Sequence, residues 1–220
     1  MLESESVMLV AWLAAGAALA FLVGSIPWGY VIGRAKGIDV RAHGSGNIGA
    51  TNVGRLLGRG WGVLVFLLDA LKGVAGVVCV DWLVEWLSAG ALRGVDWRGI
   101  VFGVGAVLGH NFCPWLGWKG GKGIATSAGV LLAALPGAFL WAFGAWAVLF
   151  ALTRIVSLAS IGAAVVLAAA GMWRYGHGVL GWACLALAVL AVVRHRANIG
   201  RLFRGEEPRA FQKKKQEEAA

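Results

Sequence analysis

Cations, glycines and small polar side chains gather in three short segments of this 220-residue chain, in combinations suited to holding phosphate groups. The first is His43-Gly-Ser-Gly-Asn-Ile-Gly-Ala-Thr-Asn-Val-Gly-Arg55. Gly44, Gly46 and Gly49 let backbone amides turn toward an anion. Ser45, Asn47, Thr51 and Asn52 add hydrogen-bonding side chains, and Arg55 offers a forked donor that matches phosphate geometry. The second runs Gly109-His-Asn-Phe-Cys-Pro-Trp-Leu-Gly-Trp-Lys-Gly-Gly-Lys-Gly-Ile-Ala-Thr-Ser127. Here Lys119, Gly120, Gly121, Lys122 and Gly123 stand ahead of an expected helix, where cationic side chains and the helix dipole act together on an anion. His110 lies on the near side of the same segment. This is not a Walker loop: Gly123 follows Lys122 where Ser or Thr is required, and Leu116 replaces the opening glycine. The third is Arg194-His-Arg-Ala-Asn-Ile-Gly-Arg-Leu-Phe-Arg-Gly-Glu-Glu207, in which His195 and Asn198 share a helix face. Taken alone, its basic character would suit attraction to anionic lipid. Thr153-Arg-Ile-Val-Ser157 adds Arg154 and Ser157.

Composition says what must position these segments. Hydrophobic residues make up 59% of the chain and charged residues 14%, against about 45–50% and about 25% in soluble domains. Val7–Ile32, Gly99–Trp118, Gly123–Leu152 and Ile155–Trp173 are uncharged and long enough to cross a bilayer. Trp61–Val80 adds a span broken by Asp69 and Lys72, and Gly178–Val193 a short one. An unpaired charge in a span costs roughly 2.5–3.5 kcal/mol, and the i, i+3 spacing of Asp69 and Lys72 lets them pair. The dinucleotide pattern of Gly44, Gly46 and Gly49 falls between membrane helices rather than in a strand–helix unit, which excludes a Rossmann site. Cys79, Cys113 and Cys184 are too scattered for a disulfide framework or a thiolate metal site. No metal cluster is visible and no cofactor is expected. The chain reads as one all-α integral membrane domain over 1–220, with 205–220 as a basic, mobile cytoplasmic tail.

Sidedness follows from the cations. Sixteen of the twenty Lys and Arg fall in 34–59, 119–122, at 154 and in 194–215, and placing all of these in the cytoplasm gives a strong positive-inside bias. Parity then requires an even number of crossings between Lys122 and Arg154, so the thirty-residue stretch Gly123–Leu152 is split at Leu135-Pro136-Gly137. The expected topology has seven short transmembrane helices, amino terminus outside and carboxyl terminus in the cytoplasm. Five spans is the alternative if Gly123–Leu152 is one long helix or a re-entrant pair.

The three segments, in order and spacing, closely resemble the bacterial acyl-phosphate:glycerol-3-phosphate acyltransferase family (PlsY type). The resemblance rests on Gly44-Ser-Gly-Asn-Ile-Gly-Ala-Thr-Asn52 with Arg55, Gly109-His110 with Lys119-Gly-Gly-Lys-Gly-Ile-Ala-Thr126, and Arg194-His-Arg-Ala-Asn-Ile-Gly-Arg-Leu202 ending in Glu207. Cys113-Pro114 departs from it, because the family more usually has proline one place earlier. The resemblance implies seven helices and acyl transfer from acyl phosphate to the sn-1 hydroxyl of glycerol-3-phosphate. The products would be lysophosphatidic acid and phosphate, the first step of phospholipid synthesis at the bacterial inner membrane. It implies that activity depends on Ser45 and Arg55, that the Lys119–Gly123 loop holds glycerol phosphate with Lys122 as main cation, and that His195, Asn198 and Glu207 complete the site. Partners are then the two substrates and membrane lipids, with no nucleic acid. None of the four histidines has Asp five residues on, which separates the chain from acyltransferases that use His-x-x-x-x-Asp. A transporter or channel for an organic phosphate is the competing class. Such a protein should place its polar groups near mid-membrane in paired halves, whereas here they crowd one surface.

Overall fold

A computed structural model describes residues 2–210, with side chains from Glu5 onward. Among the described residues every regular element is a helix: α1 (Leu2–Gly24), α2 (Trp28–Ala35), α3 (Ala50–Leu57), α4 (Arg59–Leu87), α5 (Arg98–Asn111), a 3-10 turn (Pro114–Leu116), α6 (Ile124–Ala134), α7 (Pro136–Thr153), α8 (Val156–Tyr175), α9 (Val179–Arg194) and α10 (Arg196–Phe203). Two prolines set the breaks that matter. Pro27 lacks an amide hydrogen and disfavours helical geometry in the residue before it, so α1 stops and α2 restarts beyond it. The carbonyls released there are taken by other elements: Ser25 O accepts from Cys113 Sγ at 3.1 Å and Ile26 O from Lys72 Nζ at 2.8 Å. Pro136 opens α7 at a position where a missing amide is harmless. The stretch Gly123–Leu152 is therefore two helices, as charge parity required, and not one long one.

Five helical segments are long and apolar enough to cross a membrane, or six if α9 and α10, bent by 58° at His195, form one span. Seven were expected, and the shortfall is α6, whose 11 residues are fewer than a crossing ordinarily needs. The helix over Trp61–Val80 is also longer than its apolar run: α4 continues to Leu87. Arg98 at the start of α5 holds Asp81 at 2.6 Å and Glu85 at 3.3 Å, which neutralises that polar extension. Of the expected tail, 205–210 fold back onto the bundle, with Ala210 N donating to Arg154 O at 2.6 Å. Positions 211–220, including Lys213–Lys215, lie outside the described residues.

Two kinds of packing hold the bundle. Along α1 against α5, and α4 against α6, backbones touch. A methyl group at Gly24, Gly105 or Gly109 would overlap the main chain of the facing helix, and so would one at Gly73 or Gly129. Small residues of this kind drive helix association in lipid, where apolar burial provides little. The α7 side is built differently, from a row of large rings. Phe139, Phe143, Trp146 and Phe150 stack at centroid distances of 5.5, 6.4 and 4.8 Å.

Candidate active site

The first segment folds as a loop hung from one buried amide. Asn52, in the first turn of α3 and 2% exposed, donates through Nδ2 to Val40 O and His43 O and accepts from Ser45 N at 2.9 Å. Gly44 and Gly46 take the left-handed backbone that glycine tolerates. A side chain at Gly44 would in addition overlap Asn52 Oδ1. Asn52 is thus the anchor of the loop rather than a free donor, and Asn47 is likewise used internally, accepting from Gly49 N. Ser45, Thr51 and Arg55 remain exposed. No hydrogen bond holds the Arg55 guanidinium among the described residues.

The second segment is spent on its own architecture more than the sequence suggested. Gly120 N and Gly121 N donate to Asn111 O and His110 O, and Arg194 from α9 bonds Gly120 O at 2.9 Å and Gly121 O at 2.7 Å. Those two glycine amides are therefore unavailable to an anion. The donors left are the Lys119 and Lys122 side chains and the amides from Lys122 to Thr126 leading into α6, which no carbonyl takes among the described residues. Gly123 turns the chain into that helix with a left-handed φ of 79°.

The third segment meets Lys122. Lys122 Nζ donates to Asn198 Oδ1 at 2.6 Å, and Asn198 Nδ2 to Glu207 Oε1 at 2.6 Å. Ser157 Oγ, from the first turn of α8, gives Oε1 a second bond at 2.8 Å, and Arg201 Nε reaches Oε2 at 2.7 Å. Burial opposes the Glu207 charge, but the donors Asn198, Ser157 and Arg201 outweigh it and hold the carboxyl below its ordinary value. Burial pushes Lys122 down to about 8, with Arg201, Arg55 and Arg194 adding to the shift and Glu207 opposing it. His195, 2% exposed in the turn between α9 and α10, is pushed down to about 4 by burial and then by Lys122. Its Nδ1 lies 2.8 Å from Ala191 O, which can only accept. In the neutral ring the proton is thus on Nδ1, and Nε2 carries the lone pair.

The structure brings Lys122, His195, Asn198, Ser157 and Glu207 together, with Arg55 close enough for its charge to be felt. Arg154 joins only through its backbone, and Lys119 stays exposed without joining the network. Sequence reasoning missed Arg194 and Arg201, whose basic surroundings read as lipid attraction. The signal available for Arg201 was its spacing of six from Glu207.

A sequence profile described as glycerol-3-phosphate acyltransferase matches residues 14–205. The chain belongs to the glycerol-3-phosphate acyltransferase family. Relatives in this family include the glycerol-3-phosphate acyltransferase of Anaeromyxobacter dehalogenans (strain 2CP-C), 48% identical over 86% of this chain and 93% of that one. That of Synechococcus sp. (strain JA-3-3Ab) is 47% identical over 92% and 97%. Among solved structures, the chain is similar to the integral membrane glycerol 3-phosphate acyltransferase PlsY in its glycerol 3-phosphate form. The TM-score is 0.78 at 40% identity, covering 90% of this chain and 94% of that one. The lysophosphatidic acid form of PlsY gives 0.75. Beside the polar cluster, this family member has an almost wholly apolar cavity lined by Phe66, Ile124, Ser127, Phe143, Trp146 and Ala191, among others. Ile124 follows Gly123 directly and Ala191 is the residue bonded to His195, so part of the cavity wall neighbours the polar cluster.

Proposed function

We propose that the chain transfers a fatty acyl group from an acyl phosphate to the sn-1 hydroxyl of glycerol-3-phosphate, releasing lysophosphatidic acid and phosphate. The single observation that carries this reading is an apolar cavity whose wall includes Ile124, two residues on from Lys122, and Ala191, whose carbonyl bonds His195. A reaction that joins a lipid tail to a phosphate-bearing head needs both environments at one point. We place the site at the cytoplasmic face of a bacterial inner membrane, on the strength of the positive-inside bias, with seven crossings when α6 counts as a short one. In this reading Lys122, Lys119 and the opening amides of α6 hold the glycerol phosphate. Arg55 and Ser45, both exposed and the Arg55 guanidinium held by no hydrogen bond among the described residues, serve the acyl phosphate.

An acyl phosphate is already activated, so positioning and charge stabilisation supply most of the catalysis. The glycerol oxygen attacks the acyl carbon, the bond from that carbon to the phosphate oxygen breaks, and phosphate departs with the electron pair. With His195 down at about 4, the departing phosphate, more basic than a phosphate monoester of second pKa about 6, is the better proton acceptor. His195 Nε2 then orients the acceptor by accepting a hydrogen bond from its neighbouring C2 hydroxyl, leaving the proton of the attacking hydroxyl free to pass to the phosphate. Replacement His195→Gln should therefore retain at least about a tenth of kcat, because orientation survives, while His195→Ala loses about 10²-fold, the lower end for general acid–base or orienting groups. Equal losses in both would assign the proton to His195. A covalent acyl-Ser45 intermediate is the rival route, and acyl group trapped on Ser45 without glycerol-3-phosphate would establish it.

The decisive assay is phosphate release from palmitoyl phosphate by purified protein in a lipid mesophase, with and without glycerol-3-phosphate. Release that requires both, with lysophosphatidic acid formed, is the expected result. Turnover with palmitoyl-CoA alone would replace the donor, and no turnover with either in folded protein would favour transport. Chain length should respond to the cavity: Ala163, on its wall, replaced by Phe should lower kcat/KM for palmitoyl phosphate at least about tenfold, in line with 1–3 kcal/mol for overpacking, while octanoyl phosphate changes less than threefold. A parallel fall for both would remove the acyl chain from this cavity.

A further inference from the structure

The mechanism leaves one buried ionic cluster without a task. Asp69 and Lys72 on α4 are 2% and 4% exposed, and His110 on α5 is 4% exposed, all within the helical bundle. Lys72 Nζ lies 2.9 Å from Asp69 Oδ1, 2.8 Å from Ile26 O at the α1–α2 break and 2.8 Å from His110 Nδ1. An ammonium has three donors and no lone pair. It donates to Ile26 O, and the Nδ1 at 2.8 Å must likewise accept from it and so be unprotonated, while Asp69 Oδ1 takes no hydrogen bond among the described residues and contributes its charge. The proton of His110 is then on Nε2. Asp69 Oδ1 is 3.6 Å from Nδ1, too long to reverse that assignment. The opposite edge of the ring presses on the glycine loop: a methyl group at Gly121 would overlap His110 Nε2. The same residue also receives the Gly121 amide on its carbonyl at 3.0 Å.

We propose that Asp69 and Lys72 are positioning residues that fix His110 as the Nε2–H tautomer, with that N–H turned to the Lys119–Gly123 loop as a donor for the phosphate of the acyl acceptor. This rests on the assignment of that loop to glycerol-3-phosphate. The arrangement explains why two charges are kept inside a span, where an apolar pair would be easier to insert. Lys72 is held by its ion pair and by the carbonyl that Pro27 releases, so α1, α4 and α5 jointly set which nitrogen faces the loop.

The test uses full-length protein labelled with ¹⁵N-histidine, the His110 signals being assigned by their loss in His110→Gln. Wild type should show protonated Nε2 and unprotonated Nδ1. The double variant Asp69→Asn/Lys72→Met removes both charges together, so neither is left buried alone. It should unfold within a few degrees of wild type, lose the single-tautomer signature, and raise the KM for glycerol-3-phosphate about tenfold, with the KM for palmitoyl phosphate unchanged. A protonated Nδ1 in wild type overturns the proposal even if the double variant fails to fold. So does a folded double variant with an unchanged glycerol-3-phosphate KM, which would leave the pair a purely structural one. If Lys122→Ala leaves that KM unchanged while the tautomer is as expected, it is the assignment of the loop that falls.

Discussion

Arg55→Ala should lower kcat by about 10²–10³, the range for removing one donor that acts on developing charge, with the KM for glycerol-3-phosphate moving less than threefold. The expectation comes from how differently Arg55 is held from the other cations near it. Arg201 is committed to Glu207 and Arg194 to the carbonyls of Gly120 and Gly121. Arg55 projects from the short helix α3 with no such commitment among the described residues, so its fork is available to a group whose charge changes during reaction. Arg55→Lys keeps the charge but not the planar fork and should recover only part of the loss. Steady-state kinetics with both substrates varied decides the matter. A kcat within threefold of wild type for Arg55→Ala would remove Arg55 from the chemistry.

The second large effect belongs to Lys122 and to pH. Lys122→Ala should raise the KM for glycerol-3-phosphate about 10–100-fold with a smaller change in kcat, since a hydrogen bond to a charged partner contributes about 1.5–3 kcal/mol and each 1.4 kcal/mol is about tenfold. Its ammonium is fixed by Asn198 beside the amides that open α6, a geometry present before any substrate arrives. Burial brings the ammonium down to about 8, so the cationic form is complete below that value and is lost as pH rises through it. Above about pH 7 glycerol phosphate is already dianionic and contributes no further change. The KM should therefore be flat near pH 7 and climb between pH 8 and 9.5, approaching tenfold per pH unit. In Lys122→Arg, whose guanidinium stays charged across this window, the climb should vanish. A wild-type KM that is flat to pH 9.5 would mean that Lys122 does not carry the phosphate.

Some of this was legible in the sequence for plain reasons. The break at Pro136 follows from a missing amide and from charge parity, and the helix pair α6 and α7 is there. Lys122 was legible as a cation among glycines ahead of a helix, whereas Asn198 and Glu207 entered the site only through the family resemblance, since their segment by itself read as attraction to anionic lipid. The destinations of backbone groups were not legible. Gly120 and Gly121 looked like anion donors, yet their amides end on Asn111 O and His110 O, because α5 must terminate its own carbonyls somewhere and the loop is the nearest source of donors. Asn52 and Asn47 looked like ligand contacts for the same reason, and both hold their own loop. The seating of Glu207 on Ser157 joins residues fifty positions apart, and no local pattern announces it. The length of α4 escaped because its polar extension is matched by Arg98, a partner supplied by another helix.

The contrast between the glycine seams and the ring-lined side of the bundle has a consequence for selectivity. Along α1–α5 and α4–α6 the main chains are in contact, so nothing there can shift by the rotation of a side chain. In the proposed reading the headgroup meets the Lys119–Gly123 loop, which joins α5 to α6, one helix from each seam, and that part of the site has little freedom to adapt. The wall of Phe143 and Trp146 can adjust by rotating rings, and it lines the cavity proposed here for the tail. A membrane whose fatty acids vary with temperature and diet presents this enzyme with a mixture of tails on a constant head, and the two halves divide tolerance and discrimination to match.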